Sequence, residues 1–200
     1  MQRSRLLCCA ILLTVVPARF PQASETAGPQ MGPNSGSNIT IHVQKSGLFS
    51  VFAHDHVISA PVRRAHVDRQ QMSAGILVAT KDMKVLDPGV SEKDRTEIQQ
   101  TMLGPKVLDA DRFKEIRFQT AHIQQIAPER YRVSGRLDLH GVGKDLMFDV
   151  TGGPVRYQGK TKLKQTDFGI QPVSIAGGTV KVKNEIEVEF DIKAQEPAAR

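Results

Sequence analysis

The stretch from Tyr131 to Val150, YRVSGRLDLHGVGKDLMFDV, constrains the fold of this chain more than any other. Tyr131, Val133, Leu137 and Leu139 alternate with Arg132, Ser134, Arg136 and Asp138. A period of two places apolar groups on one face of a strand and polar groups on the other. Gly141 and Gly143 interrupt the run, and Leu146, Phe148 and Val150 resume it. The pattern predicts an antiparallel hairpin with one face in an apolar interior and one in water.

The same pattern recurs along the chain. Ile39, Ile41 and Val43 alternate with Thr40, His42 and Gln44 before a turn at Ser46-Gly47. Ser50 to Ile58 reads as a second strand, which Pro61 is expected to end. Ala65 to Asp68 and Ala74 to Thr80 read as the next two strands, and Ile116, Phe118 and Thr120 mark another. After the Tyr131 hairpin come Val155 to Gln165 and a last long strand from about Thr179 to Ile192. In that strand Ile186, Val188, Phe190 and Ile192 alternate with Glu185, Glu187, Glu189 and Asp191. Residues 91–103, SEKDRTEIQQTML, differ. Ser91 is a good N-cap, Glu92 and Asp94 suit the positive end of a helix, and Val90, Ile98 and Met102 share a face. Gly104-Pro105 stops this helix.

The expected fold class is therefore all-β: an antiparallel barrel of about eight strands with one helix at about 91–103, because closure removes the sheet edges that an open sheet exposes. A barrel of about eight strands is just wide enough to fill with side chains or to hold one ligand. Alternation alone leaves both open.

Arg3 and Arg5 precede an apolar run from Leu6 to Val16, followed by Pro17, Ala18 and small residues near Ala23-Ser24. A basic head, an apolar run of roughly 7–15 residues and a small-residue exit read as a secretory signal. A membrane span needs about 20 apolar residues. The organisation expected is a signal over 1–23, a flexible Gly/Pro/Ser-rich leader over 24–37, a barrel over 38–194 and a tail over 195–200. The product is expected in the periplasm or outside the cell. Cys8 and Cys9 are the only cysteines and both fall in the signal, so a processed chain would have no disulfide and no cysteine zinc site. The net charge is +6, from 27 basic and 21 acidic residues. Without Arg3, Arg5 and Arg19 the balance is 24 against 21, a net +3 spread along the chain. There is no Trp, and Tyr131 and Tyr157 are the only tyrosines. Nucleic-acid binding calls for a basic stripe interleaved with stacking rings, and neither is present.

His54 and His56 are the sharpest chemical feature. On a strand, residues i and i+2 share a face about 6.5–7 Å apart, so both rings could lean onto one metal. Asp55 would face the other way, and His42, His66 or His122 would have to complete the set. The alternatives are a polar contact to a ligand head group and plain hydrogen bonding at a strand end. Asp167-Phe168-Gly169 has no nucleotide-loop context and reads as a turn with Phe168 in the core. His140-Gly141-Val142-Gly143-Lys144 lacks phosphate-loop spacing and reads as a hairpin turn. Ser46, Ser50, Ser59 and Ser134 lie in no G-x-S-x-G context, and no nucleophile or acid–base pair stands out, so no enzyme is expected.

Four segments in order, SGLFSVFAHDHVI at 46–58, DADRFKEIRFQT at 109–120, the Tyr131–Val150 hairpin and KLKQTDFGI at 162–170, resemble the YceI family. The resemblance covers roughly Asn38 to Ala194. It implies a lipocalin-like exported barrel that binds polyisoprenoid or other long-chain lipid, with no cofactor beyond that lipid and transient membrane contact. Inward candidates by alternation are Ile41, Val43, Ile76, Val78, Phe118, Val133, Leu137, Phe148, Tyr157, Leu163, Val188 and Phe190. Gly135 and Gly159 fall in the same inward series. Glycine in a strand costs roughly 0.5–1 kcal/mol relative to Ala, so each needs a compensating reason. Gly135 is expected to leave space for a lipid tail, and Gly159 to serve a bend. The competing reading is a metal- or haem-related barrel using the His54/His56 face, and a third is a scaffold filled by its own side chains.

Overall fold

Eight strands, each following the last around the wall, close the alternating segments into a barrel. The structure, a computed structural model, describes residues 36–46, 55–175 and 180–194, all within the unit Met31–Arg200. Round the wall run β1 (Asn38–Val43), β3 (His56–Asp68), β4 (Ser73–Ala79), β6 (Glu115–Ala127), β7 (Arg130–Leu139), β8 (Val142–Gly153), β9 (Arg156–Lys164) and β12 (Glu185–Lys193). Every neighbouring pair is antiparallel, and β12 returns to β1 with Asn38 opposite Asp191. The two-residue strand β5 (Lys84–Val85) adds to β3. A small second sheet joins β2 (Lys45–Ser46), β11 (Val180–Val182) and β10 (Ser174–Ile175).

One end of the barrel is plugged and the other carries hairpin turns. At the plugged end lies α1 (Glu92–Leu103), the expected helix. Ser91 caps it by accepting a hydrogen bond from the Asp94 N–H at 3.1 Å. Gln99 fixes it to the barrel: its side chain accepts from Val85 N–H and donates to the Met83 carbonyl, both at 2.8 Å. Met102 is buried in a core with Ile41, Ile58, Val78, Met83 and Phe168, and Ile98 packs against it. Each such side chain taken fully from water contributes roughly 1.5–3 kcal/mol. Phe168, 2 % exposed, sits in the Asp167-Phe168-Gly169 turn, which Gly169 closes at φ 73°. The β7–β8 connection is a two-residue turn, His140 at φ 52° and Gly141 at φ 75°, the handedness that matches strand twist. A smaller core of Val62, Ala65 and Ile192 lies towards the hairpin end.

Two boundaries depart from expectation. β3 runs through Pro61 instead of ending there. Val62 N–H donates to the Ser37 carbonyl, so the proline nitrogen faces away from β1. On that other side the register with β5 ends at Ser59 and that with β4 starts at Val62, so no ladder bond is lost. Ala65 to Asp68 is thus the end of β3 and not a separate strand. The single C-terminal strand expected from about Thr179 is instead β11 and β12. Between them Lys183 N–H donates to the Gln44 carbonyl, and the Asn184 carbonyl accepts from Gln165 N–H at 3.0 Å. These bonds carry the chain from the small sheet into the barrel. Ser50 to His54, in the expected second strand, lie outside the described residues.

Candidate functional site

The register faces the inward candidates with other apolar groups. Ile41 lies opposite Val188 and Ile58, Val78 opposite Ile116, Leu163 opposite Ile186, and Tyr157 opposite Ile192. Phe118 lies between Ile76 and Leu137, and Val133 between Ile123 and Phe148. Phe190 is opposite Ile39, and Val43 packs on the main core.

Three rings from three strands meet across the interior. Phe118 and Phe148 have centroids 5.4 Å apart, as do Phe148 and Phe190. The two inward glycines make room for this belt. A β-carbon on Gly135 would lie 2.7 Å from Phe118 Cζ and would collide with the Gln119 carbonyl. One on Gly159 would collide with the Phe190 ring. The space over Gly135 is therefore taken by an aromatic ring, not left open, and a ring also fills the space over Gly159. Nearer the hairpin end Tyr131 and Tyr157 meet edge to face at 6.2 Å. Burial pushes the Tyr157 hydroxyl pKa up, with Arg69 opposing the shift.

Burial is uneven around the wall. On β3 and β4 the inward Ile58, Ala60, Val62 and Val78 are buried. Ile76 on β4 is half-buried, and on the arc from β6 to β12 so are the inward Ile116, Phe118, Leu137, Leu146, Phe148, Thr161, Ile186 and Val188, while Val133, Val150, Leu163 and Ile192 on the same arc are buried. That arc contains a break. β8 pairs with β7 from Arg130↔Thr151 to Leu139↔Val142, but with β9 only from Gly153↔Arg156 to Val150↔Gly159. Beyond that point residues 142–149 of β8 and 160–164 of β9 run side by side without paired register. The seam holds a cleft of about 250 Å³ lined by Lys144, Asp145 and Leu146 of β8 and by Lys162, Leu163 and Lys164 of β9, with Asp167, Phe168 and Glu185 at its plugged-end side. It has apolar walls inward and charged groups at the rim.

Of the histidine pair, His54 lies outside the described residues. His56 faces inward opposite Val43, and its Nδ1 lies 2.6 Å from Asp87 Oδ2. The other Asp87 oxygen accepts the Val57 N–H at 2.7 Å, and Asp87 is 1 % exposed. This contact anchors the segment leading into α1. His42 faces outward, 3.7 Å from Glu189. Among the described residues no three His, Cys, Asp or Glu groups converge on a point that could hold a metal.

Asp87 and the seam were both missed from sequence. Asp87 has no periodic signal, being a loop residue 31 positions from its partner. Leu146, Thr161 and Ile186 belong to the alternating series that yielded the other candidates and could have been read from it.

The barrel resembles solved structures of low sequence identity. BcnA from Burkholderia cenocepacia is 16% identical with a TM-score of 0.55, the match covering 80% of this chain and 96% of that one. A polyisoprenoid binding domain from Saccharophagus degradans is 13% identical with a TM-score of 0.57, over 84% of this chain and 98% of that one. The YCEI protein of Campylobacter jejuni is 16% identical with a TM-score of 0.50, over 62% and 72%. No curated protein matches the sequence. The model of the YceI-like domain matches residues 33–194, so the chain belongs to the YceI-like domain family.

Proposed function

We propose that this protein is an exported carrier that holds a long-chain isoprenoid or a similar amphiphile inside its barrel. The observation that carries this reading is the half-buried state of inward apolar side chains on the arc from β6 to β12. Those side chains keep apolar surface that a bound tail would cover. An apolar tail laid there is worth about 2.5 kcal/mol for each 100 Å² removed from water. A few hundred Å² is then needed to offset roughly 4–15 kcal/mol of lost ligand freedom, which favours a long tail over a small solute. The polyisoprenoid binding domain of like fold supports the ligand class. Export and a periplasmic or extracellular location rest on the basic head and apolar run of residues 1–23.

A barrel filled by its own side chains is the second reading, favoured by the Phe118–Phe148–Phe190 belt and the ring over Gly135. Solvent extraction of protein recovered from an exporting host, followed by mass spectrometry, separates the two. The carrier reading expects a co-purifying hydrophobic molecule, and a rise in melting temperature when isoprenoids are added to extracted protein. No extractable molecule together with no thermal shift would leave the filled barrel standing.

A further inference from the structure

The strands of the barrel carry their charges on the outer series, as at Arg132, Asp149, Lys162 and Asp191. Among the described residues Lys144 is the exception. It falls in the inward series of β8, between Val142 and Leu146, and its register partner is the inward Leu137. It is exposed, and it lines the cleft in the β8–β9 seam. The cleft's other charges are disposed differently. Lys162 is held by Glu185 at 2.8 Å, Asp145 and Lys164 lie on the outer series, and Asp167 lies in the turn before Phe168. Among the described residues Lys144 has no ion-pair partner.

A lysine ammonium is a compact point charge with three donors, suited to phosphate or carboxylate oxygens. Its four-carbon stem can lie along apolar surface while the head stays wet. Leu146 and Phe148 continue inward from Lys144 on the same face of β8, so a chain lying along them would bring its head to the ammonium. We propose that Lys144 is the head-group site of the barrel: it takes the phosphate or carboxylate of an amphiphile whose tail passes through the seam into the interior. This rests on the carrier reading and adds an anionic head to it.

The test compares farnesyl phosphate with farnesol, which share a tail and differ in the head, by titration into the lipid-extracted full chain. Wild type should bind the phosphate at least tenfold more tightly than the alcohol. Lys144→Gln should erase that gap with farnesol affinity unchanged, and Lys144→Arg should restore most of it. Lys164→Gln, on the outer series of the same cleft, should keep it. Millimolar inorganic phosphate should not displace farnesyl phosphate, because a free anion lacks the tail. The proposal is overturned if Lys144→Gln retains the gap, if Lys164→Gln erases it equally, or if inorganic phosphate competes. Equal binding of both probes by wild type overturns the head-group site alone. Binding of neither overturns the carrier reading, and the head-group site with it.

Discussion

The β3–β4 wall and the β8–β9 wall are built from the same alternating vocabulary, yet they differ in two ways. β3 pairs with β1 from His56 to Pro61 and with β5 and then β4 on its other side, and its inward Ile58, Ala60 and Val62 are buried. β8 pairs with β7 from Val142 to Thr151 but with β9 only from Val150 to Gly153, and its inward Leu146 and Phe148, on the stretch without β9, are half-buried. Alternation therefore fixes which way a side chain points, while how far it is taken from water is set by the groups packed over it: Leu163 in the seam is buried beside Phe168, whereas Phe118 and Leu137, paired on both sides, are half-buried. One barrel combines a wall where burial supplies stability with a split wall whose inward Leu146 and Phe148 keep part of their apolar surface in water.

The largest expected effect lies at the plugged end. Phe168→Ala should cost about 3–5 kcal/mol in denaturant unfolding, since the ring is fully buried and the cavity left behind adds to the lost transfer energy. A cost as small as that of a surface change would show the plug to be loose. The comparison itself is sharpened by Ile58→Ala against Leu146→Ala. The first should cost about 2–5 kcal/mol and the second less than half as much, because Leu146 already meets solvent. Equal costs would break the contrast between the walls.

Gly135→Ala should cost about 1–3 kcal/mol, because the new methyl meets both the Phe118 ring and the Gln119 carbonyl. Gly153→Ala meets only Glu129 Oε1 at 3.2 Å, the far end of a flexible side chain, and should change stability by less than about 0.5 kcal/mol. If both glycines tolerate alanine equally, the aromatic belt is not tightly seated.

A smaller effect is expected from His66 on β3. Burial lowers its pKa below the ordinary histidine value, outweighing the attraction of Asp68. The unfolded chain then binds the proton more readily, so stability should fall as pH drops through the usual histidine range towards the depressed folded value. His66→Gln should flatten that part of a stability–pH curve, and an unchanged slope would assign the dependence elsewhere. The smallest effect belongs to the outer face of β7 and β8. Arg132 holds the Asp149 carboxyl below its usual pKa, so whatever the pair adds is present at neutral pH and lost as pH falls through the carboxylate range. The pair is exposed, so Arg132→Ala should leave the neutral-pH unfolding midpoint unchanged within error.

Most of the barrel was legible because a period of two is a local property. The Tyr131–Val150 hairpin, the Ser91 cap and the buried Phe168 each follow from a few adjacent residues. What escaped was set by partners distant in sequence. Pro61 is tolerated inside β3 because of where two other strands stop and start. The room beside Gly135 is filled by Phe118 from the preceding strand, which no alternation count on β7 alone reveals. The seam is invisible for the same reason: β8 and β9 both alternate without fault, and the loss of their pairing leaves no mark in either.

Because the wall is laid down in chain order, each strand except the first and last finds its partners among its sequence neighbours. Among the described residues the contact of β1 with β12 is the one long-distance closure of the wall, and its register reaches Asp191. A chain synthesised from its N-terminus can thus form its hairpins as they emerge, but it cannot become a ring until β12 arrives. Throughout that interval one flank of β1 presents free N–H and C=O groups, a template for strands of other nascent chains. β12 acts as the clasp of the barrel, and a chain cut short within it would be left with a sticky open sheet.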